Sequence, residues 1–284
     1  MDERLSDYLE RIGCKALPEA NPAGLAQLQL DHRLAIPFEN FDVMLGRRIS
    51  IDSDAVFDKL VYRGRGGYCF EQNRLFSDML SAIGLPNRPL LARVMLGSID
   101  GTLPARSHVC LLVNLGGEHW IADAGFGGSY VPPLPLKDGA QCSTGDGAMH
   151  RLRHVGVLGT LVGEWVLERR GPHESTDGRT QSHLDWQKQY VFDLAEVAPA
   201  DLEQGSHWAA TVPGGRFSTV HVASRALADG FITLSDKDLK IYRNGQSEKR
   251  SLSDREAYQR ALNDVLRIPL SPDEVAALAL FEQG

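Results

Sequence analysis

Residues 63–73 read Arg-Gly-Arg-Gly-Gly-Tyr-Cys-Phe-Glu-Gln-Asn, a glycine-rich turn followed by a cysteine at the start of a predicted helix. The first N–H groups of a helix have no partner within it, and this end of the helix carries partial positive charge. Both effects favour the thiolate form of Cys69 over the thiol. The preceding glycines leave room for another molecule to approach the sulfur. The stretch therefore predicts a reactive cysteine at the junction between a turn and a helix.

Two later segments supply candidate partners for Cys69. Ser107-His108 begins one apolar strand, and Asp123 ends another, predicted over residues 119–123. The Gly116-Gly117 pair between the strands predicts a tight hairpin that places His108 near Asp123. A neutral imidazole can accept the thiol proton and later return it, and a carboxylate can hold that imidazole in one tautomer. The order Cys, His, Asp therefore predicts a nucleophile, its base and a residue that orients the base.

The composition excludes several classes of protein. The chain has 284 residues, of which 43% are hydrophobic and 24% charged, and its formal net charge is −7. These values are typical of a globular protein. There is no basic run and no apolar run of about 20 residues, so we predict no binding to nucleic acid or to membranes. The four cysteines form no CxxC pair, which predicts free thiols, no metal site and a cytoplasmic location.

The hydrophobic periodicity divides the chain into three parts. Through about residue 84 it predicts helices, and from about residue 89 it predicts short strands joined by glycine-rich turns, as in a sheet or barrel. Residues 171–182 are polar and predict a mobile surface loop. The last third mixes both types, with predicted elements at 200–211 (helix), 217–223 and 231–242 (strands), and 253–256 and 271–274 (capping boxes that start two helices).

Five segments carry a resemblance to a known family. They are residues 35–41 (Ala-Ile-Pro-Phe-Glu-Asn-Phe), 65–73 (Arg-Gly-Gly-Tyr-Cys-Phe-Glu-Gln-Asn), 107–108 (Ser-His), 123–127 (Asp-Ala-Gly-Phe-Gly) and 216–219 (Arg-Phe-Ser-Thr). Together they resemble the arylamine N-acetyltransferase family of the bacterial type. The segment 65–73 matches the family's nucleophile motif in full, whereas 123–127 has alanine where valine is common. The segment 216–219 is the weakest match.

The resemblance implies an α+β fold of three domains with a papain-like Cys-His-Asp triad. A helical bundle over residues 1–86 would carry the nucleophile cysteine. A β-barrel over 87–198 would carry the histidine and the aspartate, and an α/β lid over 199–284 would complete the fold. This layout agrees with the three parts that the periodicity predicts.

The resemblance also implies an acyltransferase of xenobiotic metabolism, with acetyl-CoA as cosubstrate and no metal or prosthetic group. Acetyl-CoA would acetylate Cys69, and the thioester would pass its acetyl group to an aromatic amine or hydrazine in a ping-pong reaction. N-hydroxyarylamines would be O-acetylated as well. The protein would be a monomer or homodimer. The implied substrate-binding residues are Phe38, Val94, Tyr130 and Phe217, and the implied CoA-binding residues are Phe126, Gly127, Gly128, Ser218 and Thr219.

Other hypotheses use the same residues. A thiol hydrolase of the cysteine-protease or transglutaminase kind would share the triad, as would an acyltransferase that closes amides in natural-product synthesis. A binding module with an inert triad is the non-enzymatic alternative. Taken singly, Cys69 is compatible with a buried small hydrophobe, His108 with a core histidine and Asp123 with a turn cap.

Overall fold

A computed structural model describes residues 3–97, 103–156, 164–180 and 185–281 of the chain, which form an α+β fold. The helices are α1 (Glu3–Ile12), α2 (Pro22–Ala35), α3 (Phe41–Met44), α4 (Ser53–Phe57) continued by a π-helical turn (Asp58–Tyr62), α5 (Cys69–Ala82), a 3₁₀ turn (His173–Ser175), α6 (Pro199–Thr211), α7 (Arg216–Thr219), α8 (Arg255–Arg260) continued by a π-helical turn (Ala261–Leu266), and α9 (Pro272–Ala277). No helix in these described ranges is both long and apolar enough to cross a membrane.

The strands form two antiparallel sheets. They are β1 (Phe38–Glu39), β2 (Asn87–Val94), β3 (His108–Leu115), β4 (Glu118–Ala122), β5 (Leu134–Pro135), β6 (Gln141–Ser143), β7 (Met149–Val155), β8 (Glu164–Arg170), β9 (Gln187–Phe192), β10 (Val222–Leu227), β11 (Gly230–Ser235), β12 (Asp238–Arg243) and β13 (Gln246–Ser251).

The N-terminal helices pack around α5. Apolar side chains at helical spacing give α1 one buried face, and Gly13, at φ +71°, follows its last residue. The helix α5 contributes Leu75 and Phe76 to the same core, and β3 contributes Leu111 from the other side. The helix that begins at Cys69 therefore lies between the helical part of the chain and the first large sheet.

The larger sheet has eight strands in the order β5-β4-β3-β2-β9-β8-β7-β6. Its inner face encloses one apolar cluster that includes Leu90 of β2, Ile121 of β4 and Leu152 of β7. The two edge strands, β5 and β6, follow each other in the chain, so the short segment between them joins the two edges of the sheet. This segment also bonds to β7, where the Leu152 N–H donates to the carbonyl of Ala140 at 3.0 Å. The sheet is thus a nearly closed barrel, which confirms this part of the expected architecture.

The second sheet joins distant parts of the sequence. Its order is β1-β10-β11-β12-β13, and Phe38 of β1 pairs with Ser224 of β10. The C-terminal helices cover one face, where Leu262 and Val275 pack with Ile232. Because β1 belongs to the N-terminal part of the chain, the predicted domain boundaries at residues 86 and 198 stay a prediction.

Two local predictions in the last third are wrong. Phe217 lies in α7 rather than in a strand, because the hydroxyls of Ser218 and Thr219 both donate to the carbonyl of Gly215 and support a helical turn. The cap of α8 is Asp254 rather than Ser253, since the Asp254 carboxylate accepts from the Ala257 N–H at 2.7 Å.

The capping box predicted at 271–274 is confirmed. There the Ser271 hydroxyl accepts from the Glu274 N–H at 3.2 Å, and the Glu274 carboxylate accepts from the Ser271 N–H at 2.8 Å. By contrast, the segment predicted as a surface loop from residue 171 enters the interior. Ser175 and Thr176 are fully buried, while the end of the predicted loop, residues 181–182, lies outside the described residues.

Candidate active site

The turn before Cys69 is fixed by the backbone of residues 37–39. The Glu39 N–H donates to the carbonyl of Gly67 at 3.1 Å, and the Gly67 N–H donates to that of Pro37 at 3.3 Å. A Cβ on Gly67 would lie 2.7 Å from Glu71 Oε2, the oxygen that accepts from the Tyr68 N–H at 3.0 Å. A side chain at this position would therefore displace Glu71. The turn ends at Cys69, the first residue of α5, and the N–H of Cys69 has no acceptor inside the helix.

A buried ion cluster, which we call the anchoring network, supports this turn. Its members are Glu39, Asp42, Lys59, Arg65 and Glu71. Lys59 Nζ lies 2.7 Å from both Asp42 Oδ2 and Glu71 Oε1, and Arg65 Nη2 lies 2.7 Å from Glu39 Oε1. Burial lowers the pKa of Lys59, but the surrounding carboxylates outweigh burial and raise it. The ammonium group therefore stays charged and ties α5 to the segment that precedes it.

The hairpin β3–β4 brings His108 next to Asp123, as predicted. His108 is the first residue of β3, Asp123 directly follows β4, and Leu111 pairs with Ala122 in the register that joins them. His108 Nε2 lies 2.7 Å from Asp123 Oδ2, and both residues are buried. Because Asp123 occupies Nε2, the other ring nitrogen, Nδ1, is the one left for the thiol.

Asn73 connects Asp123 to the helix that carries Cys69. Its amide nitrogen donates to Asp123 Oδ1 at 3.0 Å and to the carbonyl of Val109 at 2.8 Å. Its amide oxygen accepts from the Ala124 N–H at 2.9 Å. Asn73 lies one helical turn after Cys69, so the two side chains share a face of α5. We call Cys69, Asn73, His108 and Asp123, which contain the candidate catalytic residues, the catalytic network.

The loop after Asp123 packs directly on the start of α5. The Gly125 N–H donates to Asp123 Oδ1 at 2.9 Å, which gives that oxygen a second donor. A Cβ on Gly125 would lie 2.8 Å from the Cα of Cys69 and 2.6 Å from Nδ2 of Asn73. A larger residue here would push the loop away from both, so glycine at this position maintains the geometry of the site.

The ionisation of His108 is set by its two neighbours. Burial lowers the pKa of the imidazole, but the charge and hydrogen bond of Asp123, with a contribution from the Cys69 thiol, raise it to about 10. Burial raises the pKa of Asp123, and the His108 charge and hydrogen bonds outweigh it, so that this pKa falls below its ordinary value. At neutral pH the pair is therefore an imidazolium and a carboxylate, an arrangement that stabilises a neighbouring thiolate.

Two aromatic rings pack against the buried imidazole of His108. The Tyr190 ring centroid lies 5.0 Å from that of His108, and the Phe126 centroid lies 5.3 Å away in an edge-to-face arrangement. The Cys69 Sγ is 3.7 Å from the carbonyl of Ser107. The low dielectric of such surroundings strengthens the interaction between the charges of the pair.

Cys69 and His108 open onto a cavity of about 220 Å³. Five of the residues expected to bind CoA or the acceptor also line it, namely Phe38, Val94, Phe126, Gly127 and Phe217. Gly128, Ser218 and Thr219 do not line this cavity. The carbonyl of Gly128 accepts from the Asp177 N–H. The hydroxyls of Ser218 and Thr219 donate to backbone carbonyls in the turn that precedes α7.

Tyr130 lies away from the cysteine, against the expectation for an acceptor pocket. It lines a separate cavity between α2 and the region around Cys142. The loop leaves the active site after Gly127, and by Tyr130 it has reached α2, where burial raises the pKa of the phenol. The expectation for Tyr130 came from the family resemblance, which does not define the path of this loop.

The cavity has further lining residues that the sequence did not suggest. Asp177 and Arg179 come from the segment predicted as a surface loop, Arg216 starts α7, and Trp208 comes from α6. Asn73 follows Cys69 by one helical turn, so the sequence is enough to place the two side chains on the same face of α5. For Asp177 and Arg179 no local pattern exists, because tertiary packing alone brings them to the site.

Among the described residues, no group of three or more His, Cys, Asp or Glu side chains is arranged to hold a metal ion.

The chain is similar to known acetyltransferases over nearly its full length. Residues 23–275 match a protein family described as N-acetyltransferase. The chain is 38% identical over 249 residues to the arylamine N-acetyltransferase / N-hydroxyarylamine O-acetyltransferase of Salmonella typhimurium, and the match covers 87% of this chain and 82% of that one.

Solved structures show the same similarity. The arylamine N-acetyltransferase from Salmonella typhimurium superposes with a TM-score of 0.87 at 34% identity, covering 99% of this chain and 100% of that one. The Mycobacterium marinum arylamine N-acetyltransferase in complex with CoA gives a TM-score of 0.82 at 31% identity, covering 96% of this chain and 98% of that one.

Proposed function

The chain belongs to the arylamine N-acetyltransferase family and is an acyltransferase, and on this premise we propose that it transfers acetyl from acetyl-CoA to aromatic amines or hydrazines through a thioester on Cys69. The observation that carries the proposal is that His108, 2.7 Å from Asp123, lines the same cavity as Cys69 at the start of α5. We also propose O-acetylation of N-hydroxyarylamines, an activity that the Salmonella relative's name states for that protein.

The first half-reaction acetylates the cysteine. The Cys69 thiolate attacks the thioester carbonyl of acetyl-CoA, forming a new S–C bond, and the S–C bond to CoA breaks. CoA leaves as a thiolate and takes the proton of the His108 imidazolium, which becomes neutral. The Cys69 N–H, without an acceptor in the helix, can stabilise the negative oxygen of the tetrahedral intermediate.

The second half-reaction returns the site to its starting state. The acceptor nitrogen attacks the acetyl carbon on Cys69, and the neutral His108 accepts a proton from that nitrogen. Cys69 leaves as a thiolate beside a restored imidazolium, so the proton and charge balance closes. Aromatic amines are weak bases and are neutral at physiological pH, so they reach the site ready to attack.

The remaining residues hold this geometry. Asp123 fixes the ring of His108, and Asn73 fixes Asp123 relative to the helix. For CoA we propose contacts at Phe126 and Gly127, and for the acceptor ring we propose Phe38, Val94 and Phe217, because these line the cavity. A monomer or homodimer and a cytoplasmic location stay predictions.

The thioester can be tested directly. Purified protein is incubated with acetyl-CoA, and intact-mass spectrometry with peptide mapping locates the added acetyl group. We expect one acetyl group on Cys69, which disappears with release of N-acetylated product when an aromatic amine is added. Cys69→Ala should stay unmodified, and Cys142→Ala, which changes a thiol outside this cavity, should behave as the unaltered protein.

The alternative activities give different results. A thiol hydrolase would lose the acetyl group at the same rate with and without amine. A binding module with an inert triad would never acquire it. Either result would end the proposal of acetyl transfer.

A further inference from the structure

Two arginines and one aspartate line the same cavity as Cys69. Arg179 Nε lies 2.6 Å from Asp177 Oδ2, and Arg216 Nη2 lies 3.7 Å from the same oxygen. The shorter contact is a charge-assisted hydrogen bond, whereas the longer one is outside hydrogen-bond range. Two guanidinium groups therefore face one carboxylate, and this wall has one positive charge more than it has negative charges.

The guanidinium groups are the accessible part of this cluster. The Asp177 side chain is 4% exposed, whereas those of Arg179 and Arg216 are 26% and 28% exposed. Arg216 Nε is buried without a hydrogen-bond partner. Burial lowers the pKa of Arg216, Asp177 opposes this change, and the charge of Arg179 adds to it. A second anion bound between the exposed parts of the two guanidinium groups would relieve the repulsion between them.

The segment that carries Asp177 and Arg179 is hydrogen-bonded to the loop that follows Asp123, whereas Arg216 belongs to α7. The Asp177 N–H donates to the carbonyl of Gly128 at 2.8 Å, and Asp177 Oδ1 accepts from the Arg179 N–H at 3.2 Å. Lys240 Nζ donates to the carbonyl of Thr176 at 2.6 Å. The backbone that carries Arg179 is therefore fixed, and its guanidinium group is held by Asp177, which lowers the entropy lost when this side chain binds an anion.

The rest of the cavity suits an aromatic ring. The side chains of Phe38, Trp208 and Phe217 line it, and the Phe38 and Phe217 centroids are 5.8 Å apart. Its volume of about 220 Å³ is smaller than the roughly 300–1,000 Å³ of sites for drug-sized ligands. The cavity thus fits a single-ring ligand with an acidic substituent and not the whole of CoA.

Resting on the proposed function, we propose that Arg179 and Arg216 make the enzyme prefer aromatic amines that carry a carboxylate over neutral ones. Guanidinium groups bind carboxylate and phosphate alike. The phosphates of CoA are therefore the other possible source of an anion at this position. The cavity size favours the acceptor, and the experiment separates the two sources by leaving phosphate out.

The test compares para-aminobenzoate with its methyl ester, which lacks the charge, using para-nitrophenyl acetate as a donor without phosphate. The measured quantity is kcat/KM for the acid divided by kcat/KM for the ester. In Arg179→Gln we expect this ratio to fall about tenfold or more, because a charge-assisted hydrogen bond is lost for the acid alone. Arg179→Lys should restore part of the ratio. The control Arg260→Gln removes the same charge from an exposed site and should leave the ratio unchanged.

A second variant tests the sign of the effect. Asp177→Asn removes the carboxylate that competes for the two arginines, so we expect the ratio to rise. An unchanged ratio in Arg179→Gln would overturn the inference. So would a rise in KM for acetyl-CoA without a change in the ratio, because it would assign the arginines to CoA phosphate. Acetylation of neither compound by the unaltered protein would overturn the proposed function, and with it the inference.

Discussion

The catalytic network and the anchoring network are both buried, both charged and both attached to α5, yet they do different things. The anchoring network joins Lys59 and Arg65 to three carboxylates at distances of 2.7–3.2 Å, and its members lie outside the lining of the cavity. In the catalytic network, Cys69 and His108 face the cavity. Buried charge therefore does not mark a catalytic site in this fold. The catalytic network differs from the anchoring network in that two of its side chains, Cys69 and His108, are accessible from the cavity.

The largest effect is expected from Asp123→Asn. An amide donates as well as accepts, so it no longer enforces the tautomer of His108 or stabilises the imidazolium. We expect the rate of Cys69 acetylation by acetyl-CoA to fall by about 10³–10⁴-fold, measured in single-turnover experiments.

Asp138→Asn is the control for that change, because Asp138 is exposed and remote from the cavity. A loss of less than about tenfold in Asp123→Asn would mean that the thiolate needs no oriented histidine. The two networks would then differ in position only.

Removing one charge from the anchoring network should act on stability. Lys59→Met leaves Glu71 buried without its cation, while Asp42 keeps Arg65, so we expect the free energy of unfolding to fall by about 3–5 kcal/mol in denaturant titrations. Arg63→Met removes an exposed ion pair from the same turn and should change it by about 0–1 kcal/mol.

Kinetics then separate the two networks. Where Lys59→Met is still folded, we expect kcat to fall by less than about tenfold, since no group that faces the cavity has changed. A loss as large as that of Asp123→Asn would show that the anchoring network takes part in catalysis.

A smaller effect is expected from Asn73→Ala, the residue through which α5 holds Asp123. The change leaves the carbonyl of Val109 and one oxygen of Asp123 short of a donor. We expect kcat to fall about 10- to 100-fold, in line with about 1–3 kcal/mol for an unsatisfied buried group. Asn87→Ala removes amide hydrogen bonds between α5 and the start of β2, away from the cavity, and should lower stability without changing kcat.

The last prediction concerns the pH dependence of stability. The pKa of His108 is raised to about 10 from about 6.5 in the unfolded chain, so the protonated residue stabilises the fold. This contribution is complete below about pH 6.5 and is lost as the pH rises through about 10. The difference in unfolding free energy between the unaltered protein and His108→Gln should therefore shrink from pH 7 to pH 10. A difference that stays constant over this range would mean that His108 is neutral in the folded protein.

Much of the catalytic network follows from local signals. The glycines before Cys69 and the apolar spacing after it predict a turn and a helix start, and Gly116-Gly117 predicts the hairpin that aligns His108 with Asp123. Each signal lies within a few residues of the group it positions, so the sequence is enough. Its weakest predictions, Tyr130 in the acceptor pocket and a strand at Phe217, depend on how loops travel between elements.

The sequence alone was enough to predict a cysteine at a turn-helix junction and a hairpin carrying a histidine and an aspartate, because backbone sterics and periodicity are local properties; the family followed from the resemblance of short motifs. Which distant residues line the cavity depends on the tertiary structure. Strand β1 pairs with β10, 184 or more residues further along the chain, and the polar segment around Asp177 turns inward to the cavity. Such placements come from the burial of surfaces that the whole fold creates, and no local pattern encodes them.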